Sequence, residues 1–248
     1  MTKVRVTRSR PGRCRALLAA VLPSAVLMCA APALPAADDE VPAAEVARWA
    51  DETFAAALAA HQISGAVVSV VRDGEVLLAR GYGMADVVTR SPADAETTRV
   101  RIGSTTKTFT ATLIAQLLQE GRIASIDDPA NTYLDRYRLP DNNGVAITLR
   151  HLLTHTAGFE DRFFFIGATQ AVALPASAEV IEALRPAYVR PAGQHVVYSN
   201  FGVAVLGWLI EDLTGMSVGE NMRTRLFQPL GMGATELSAT IAEPEGLA

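Results

Sequence analysis

The 248-residue chain is half apolar, is 19% charged, and sets 22 basic against 26 acidic side chains. That length and apolar share allow a sizeable core, in one domain or two closely packed ones. Beyond residue 37 sixteen basic residues face all twenty-six acids, no Lys/Arg run remains, and nucleic acid is not an expected partner.

Residues 1–37 differ in kind from the rest. Lys3, Arg5, Arg8, Arg10, Arg13 and Arg15 form a basic start without an acid, and Ala16–Ala31 is apolar, broken by Pro23. Ala31-Pro32-Ala33 or Ala37 offers a small-residue cleavage site. The pattern predicts a secretory signal peptide over 1–37, hence a secreted or periplasmic protein, with a retained membrane anchor as the lesser reading. Cys29 raises lipoprotein processing, but Val26-Leu27-Met28 before it is a poor lipobox. Both cysteines, Cys14 and Cys29, lie in this leader, so residues 38–248 have no disulfide, thiolate nucleophile or Cys-based zinc site. No later segment is long and apolar enough to cross a bilayer.

From 38 to 100 the pattern is a helix and a β-hairpin. Pro42 opens a helical spacing of Val46, Trp49, Phe54 and Leu58 that ends near Ser64-Gly65. Ala66–Val71 and Glu75–Arg80 are β runs joined by Asp73-Gly74, a strong hairpin signal. Gly81-Tyr82-Gly83 is read as the strand's end, and Val87–Thr98, with Pro92, as a loop.

From 101 to 235 the chain is mainly helical, beginning with Arg101-Ile102-Gly103-Ser104-Thr105-Thr106-Lys107. Phe109, Leu113, Leu117, Ile114 and Leu118 repeat at helical spacing, with Gly121 as the C′ residue. Ser104 and Lys107, three apart, share a helix face. Gly103 allows close backbone approach, and free N–H groups at the helix start suit an oxyanion. Lys107 is the only lysine among the sixteen basic residues beyond 37. Arginine serves wherever a fixed charge suffices but cannot act as a base. On its own, Ser-x-x-Lys also fits a helix that opens with a chance Ser and a solvated Lys.

Further on, Asp127-Asp128-Pro129 predicts a capped short helix to Leu134, and Asp141–Gly144 a turn. Thr148 caps Leu149–Thr154, stopped by Ala157-Gly158. Phe163-Phe164-Phe165 is core or an apolar wall, and Ser177–Leu184 a helix. Arg190–Gly193 turns into a short strand, His195–Val197. Tyr198-Ser199-Asn200 follows, then a helix over Phe201–Leu213 with Gly215 behind it. A phenol, with an ordinary pKa of about 10, can act as a base if a cation such as Lys107 stabilises its anion. Hairpin first and helices after predict an α+β fold.

Ser104-x-x-Lys107 with Tyr198-x-Asn200 resembles the serine β-lactamase and penicillin-binding-protein superfamily, in its class C β-lactamase and DD-peptidase-like branch. Leu152–Gly158, Gly193 five residues before the Tyr, Asn200-Phe201-Gly202 and Pro229-Leu230-Gly231-Met232 extend the resemblance from about Gly65 to Met232. It implies a β-lactamase/transpeptidase-like fold, an antiparallel sheet flanked by helices plus a helical region. By the same resemblance Ser104 is the acylated nucleophile, Lys107 and Tyr198 share general-base duty, and Asn200 binds Lys107 and the substrate amide. The Ser104 N–H supplies half the oxyanion hole, and neither cofactor nor metal is called for. The implied activity is hydrolysis of a small amide, β-lactam, D-Ala-D-Ala peptide or ester. The contrasting expectation is a non-catalytic domain that binds cell-wall peptide or a partner.

Three rivals carry less. Gly215-Met216-Ser217-Val218-Gly219 matches a nucleophile elbow, but a helix precedes it where the elbow needs a strand. His151 and His155 have zinc-helix spacing without the Glu that would serve as base. His61 and His195 lack a context for a Ser-His-Asp triad. The superfamily's third element, a strand with Lys-Thr-Gly or His-x-Gly, does not follow Tyr198. The expectation is therefore a 38–248 domain lacking its C-terminal strands, as a fragment or a degenerate relative.

Overall fold

The computed structural model describes residues 41–160 and 182–237. The chain divides into two units, Met1–Pro42 and Ala43–Ala248, and the elements below belong to the second. The predicted leader and Phe163-Phe164-Phe165 lie outside the described residues, as does the predicted Ser177–Leu184 helix apart from Glu182–Leu184, which is helical.

Helix α1 (Ala43–His61) leads into an antiparallel hairpin of β1 (Gly65–Arg72) and β2 (Glu75–Asp86). The turn residues Asp73 and Gly74 both have positive φ, 52° and 86°, as a two-residue turn with the twist of its strands demands. Helix α1 packs on β2, where Phe54 stacks on Tyr82 at 5.2 Å and Asp51 accepts from Arg80 and from the Tyr82 hydroxyl.

Two expectations about this region are corrected. β2 runs through Gly81 and Gly83 to Asp86, and β3 (Ser91–Pro92) pairs with it, giving the order β1-β2-β3. A Cβ on Gly81 would stand 2.1 Å from the Ala93 carbonyl oxygen. The glycine marks a close backbone approach inside a continuing strand, not the strand's end.

A 3-10 turn, Gly103–Thr105, runs straight into α2 (Thr106–Gln119). Gly103 has φ +52° and nothing within 4 Å of a would-be Cβ, so its glycine serves the left-handed turn and not the close approach anticipated. Gly121, with φ 73°, follows α2 as expected. The helix predicted after Asp128-Pro129 is only a 3-10 turn, Ala130–Thr132. The Asp128 carboxylate accepts instead from the Ser125 N–H and the Tyr133 hydroxyl, so it is not free to cap.

Helix α3 (Leu149–Leu153) has Thr148 as its N-cap, and His151 returns a bond to the Thr148 N–H. Helix α4 (Asn200–Thr214) is capped by Ser199, whose hydroxyl accepts from the Gly202 N–H, and ends on Gly215 at φ 73°. Helix α5 (Val218–Met222) and a π-turn, Arg223–Phe227, follow. The predicted strand His195–Val197 is not a strand, because its partner is the loop after α3.

The core lies where α2, α3 and α4 meet. Leu113, Ile114 and Leu117 of α2 and Leu149 and Leu152 of α3 are buried with Val205, Leu206, Leu209 and Ile210 of α4. Phe109 meets Phe227 edge to face at 5.1 Å. Burying each such aliphatic side chain contributes roughly 1.5–3 kcal/mol, so the bodies of α2 and α4 are held in one apolar core. No single described helix is long and apolar enough to cross a membrane.

Candidate active site

The starts of α2 and α4 carry the four residues singled out in the sequence. Ser104 sits in the 3-10 turn and Lys107 in the first turn of α2, while Tyr198 and Asn200 flank the Ser199 N-cap of α4. The Ser104 hydroxyl oxygen accepts from the Tyr198 hydroxyl at 2.6 Å and from Lys107 Nζ at 3.1 Å. Lys107 Nζ also donates to Asn200 Oδ1 at 2.7 Å and stands 4.8 Å from the centre of the Tyr198 ring. The structure thus brings together all four predicted residues, Ser104, Lys107, Tyr198 and Asn200.

Local chemistry explains the placement. Ser104 belongs to the opening of a continuous helical run, where the first N–H groups have no carbonyl partner inside the helix. Lys107 there has its amine at the positive end of the helix dipole. No acid in the first turn offsets it, so its position is set by Ser104 and Asn200. Asn200 is partly buried and points its amide oxygen, an acceptor, at the amine.

The Tyr198 segment is held by the loop after α3. Gly193 N–H donates to the Thr156 carbonyl, Val197 N–H to the His155 carbonyl, and Val189 N–H to the Gly158 carbonyl. Buried Asn142 clamps both sides, donating from Nδ2 to the Ala157 and Arg190 carbonyls. The His155 ring lies 4.6 Å from that of Tyr198, and its Nδ1 accepts from the Ser199 N–H at 3.2 Å. Neither His155 nor Asn142 stands out in the sequence as a support of the site. The Leu152–Gly158 block is the signal that could have found His155; Asn142 lies outside it, in the Asp141–Gly144 turn, and has no such signal.

The rivals occupy other places. Ser217 is the N-cap of α5 and accepts from the Glu220 N–H at 3.2 Å, between two helices and after no strand. His151 Nδ1 accepts from the Thr148 N–H and His155 Nδ1 from the Ser199 N–H, so each imidazole has a structural partner. No group of three or more His, Cys, Asp or Glu side chains placed to hold a metal occurs among the described residues.

The α+β fold places an amine and a phenol within hydrogen-bond reach of one serine hydroxyl, an arrangement suited to a nucleophile beside candidate bases. The β-lactamase family model matches residues 50–248, and the chain belongs to that family. A D-aminopeptidase of Brucella anthropi is 33% identical over 183 residues, 72% of this chain and 34% of the relative. The esterase EstB of Burkholderia gladioli is 32% identical over 223 residues, 83% of this chain and 55% of the relative. The solved structure of a class C β-lactamase in complex with cefoxitin superposes with a TM-score of 0.68 at 25% identity. That match covers 83% of this chain and 55% of the other. The fold is therefore β-lactamase/transpeptidase-like, and the chain spans between about a third and just over half of these proteins' lengths.

Proposed function

We propose that this chain carries out serine acyl-enzyme chemistry on a small amide, β-lactam or ester, as a protein exported to the periplasm or beyond. The observation that carries the reading is the convergence of the Tyr198 hydroxyl and Lys107 Nζ on the Ser104 hydroxyl oxygen, at 2.6 and 3.1 Å. An aminopeptidase, an esterase and a β-lactamase bound to cefoxitin differ in leaving group. They share one step, attack of a nucleophile on an acyl carbon.

In that step the Ser104 oxygen bonds to the carbonyl carbon and its proton passes to whichever of Tyr198 and Lys107 is deprotonated at that moment. The carbonyl oxygen becomes an oxyanion beside the Ser104 N–H. As the bond to the amine or alcohol breaks, the proton is returned to that leaving group. Water then repeats the sequence on the ester to Ser104, releasing the acid. Asn200 holds the amine on the Ser104 side and has an amide N–H₂ available for a substrate carbonyl.

The test is labelling with a fluorescent fluorophosphonate and a fluorescent penicillin, comparing the native chain with Ser104→Ala. Labelling that disappears in the variant supports the reading. Labelling that persists removes Ser104 from the mechanism, and a native chain that neither reagent labels favours a binding domain instead. Label from the penicillin assigns a lactam-accepting site, whereas label from the fluorophosphonate alone favours an ester or peptide.

A further inference from the structure

We propose that His155 is the positioning residue of this site, aiming the Tyr198 phenol at Ser104; the proposal rests on the acyl-enzyme reading above. Tyr198 is 40% exposed, so core packing does not fix its ring. His155 holds the chain on both sides of it instead. The His155 carbonyl accepts from the Val197 N–H at 2.7 Å, and its Nδ1 accepts from the Ser199 N–H at 3.2 Å. Between those two bonds its ring faces the Tyr198 ring, with centroids 4.6 Å apart and planes tilted by 31°. Residues 197, 198 and 199 are thus all referenced to one side chain and its own carbonyl.

The backbone of His155 supports a role beyond filling space. Its φ is +58°, a left-handed conformation that costs a residue with a Cβ about 1–2 kcal/mol and that Gly or Asn adopts more cheaply. Glycine there would relieve the strain and keep the carbonyl bond to Val197. It would lose the Nδ1 acceptor and the ring. Histidine is what supplies both of these from a strained turn, a pattern expected where strain serves a site. The tautomer follows from the donor: a backbone N–H can only donate, so Nδ1 is bare and Nε2 carries the proton.

Two substitutions separate the contributions. His155→Asn tolerates the left-handed backbone and keeps a short acceptor but removes the ring. His155→Phe keeps a ring and removes the acceptor. Each is made in the full native chain and in Tyr198→Phe, and labelling by a fluorophosphonate, in which the Ser104 oxygen bonds to phosphorus and fluoride leaves, is followed to saturation in probe. The rate constant belongs to the molecules that label, so a misfolded fraction lowers the amplitude without changing the rate.

The expected result is a maximal rate about ten- to a hundredfold lower in His155→Asn, the cost of a misplaced reacting group, at an unchanged half-saturating probe concentration. His155→Phe is expected to recover part of that loss. In Tyr198→Phe, His155→Asn should bring no comparable further loss. A His155→Asn protein that is labelled at the native rate overturns the proposal, as does one that slows by the same factor with and without the Tyr198 hydroxyl. If Tyr198→Phe itself is labelled at the native rate, the base role falls first and the positioning role with it. A native rate in His155→Asn beside a crippled Tyr198→Phe leaves the acyl-enzyme reading standing alone.

Discussion

Lys107 and Asn200 lie 93 positions apart and meet through a 2.7 Å hydrogen bond from Nζ to Oδ1. That bond ties the first turn of α2 to the first residue of α4 and leaves the same amine 3.1 Å from Ser104. The buried faces of the two helices bring their N-terminal ends side by side, and the polar residues at those ends complete the contact.

Replacement of Lys107 by arginine tests what the amine does there. Arginine keeps the charge and could still donate to Asn200, but it cannot surrender a proton. If Lys107 takes part in proton transfer, Lys107→Arg should slow fluorophosphonate labelling by about a hundred- to ten-thousandfold, nearly as much as Lys107→Ala. An Arg variant that retains most of the native labelling rate would show the amine to be an electrostatic prop.

The support beneath Tyr198 can be disturbed without touching it. Gly158 has φ +86°, and a Cβ there would stand 2.0 Å from the Arg190 carbonyl oxygen and 2.7 Å from Asn142 Nδ2. The Gly158 carbonyl also receives the Val189 N–H. Gly158→Ala therefore meets a backbone clash in addition to a conformational cost of about 1–2 kcal/mol. A lower thermal midpoint together with slower labelling is expected. A variant with native stability and native rate would show that the 188–199 segment does not depend on this contact.

Much of this site was legible because it is carried by short local patterns. Ser-x-x-Lys needs only one helical turn, Asp73-Gly74 one tight turn, and the apolar faces of α2 and α4 repeat at helical spacing before a left-handed glycine. What was not legible is the pairing of loop with loop. The β-branched residues of His195–Val197 suit a strand, yet the Val197 N–H goes to the His155 carbonyl. His151 and His155 have the spacing of a zinc pair, and their Nδ1 atoms accept instead from backbone N–H groups that no spacing reveals. Gly81 looks like a stop in sequence because a strand glycine and a turn glycine are the same letter, and only the approach of Ala93 separates them.

Ser217 offers a control with opposite expectations for stability and chemistry. Its hydroxyl caps α5 by accepting from the Glu220 N–H, so Ser217→Ala should cost about 1 kcal/mol of stability. Probe labelling should be unchanged, since its hydroxyl is committed to the cap. Loss of labelling in a folded Ser217→Ala protein would restore the elbow reading of Gly215–Gly219.

His151 makes stability depend on pH. Burial pulls its imidazole below the ordinary value of 6.5; Asp127 opposes the shift and Arg150 reinforces it. Its Nδ1 accepts from the Thr148 N–H at 3.3 Å, completing the capping box of α3, and a proton on Nδ1 would remove that bond. The imidazole also borders the turn before Tyr198, because a Cβ on Gly193 would stand 3.2 Å from its Nε2. With the folded value below the unfolded one, the unfolded chain binds more protons as the pH falls from above 6.5 toward the folded value. The contribution is therefore complete above about pH 6.5 and is lost on acidification through that window. Urea unfolding of the native chain and of His151→Gln, followed from pH 8 to pH 5, isolates this group from the others that titrate there. The stability difference between the two should shrink as the pH falls, because glutamine binds no proton and the native histidine loses its advantage. A difference that stays constant across the range would mean that His151 does not couple folding to protonation.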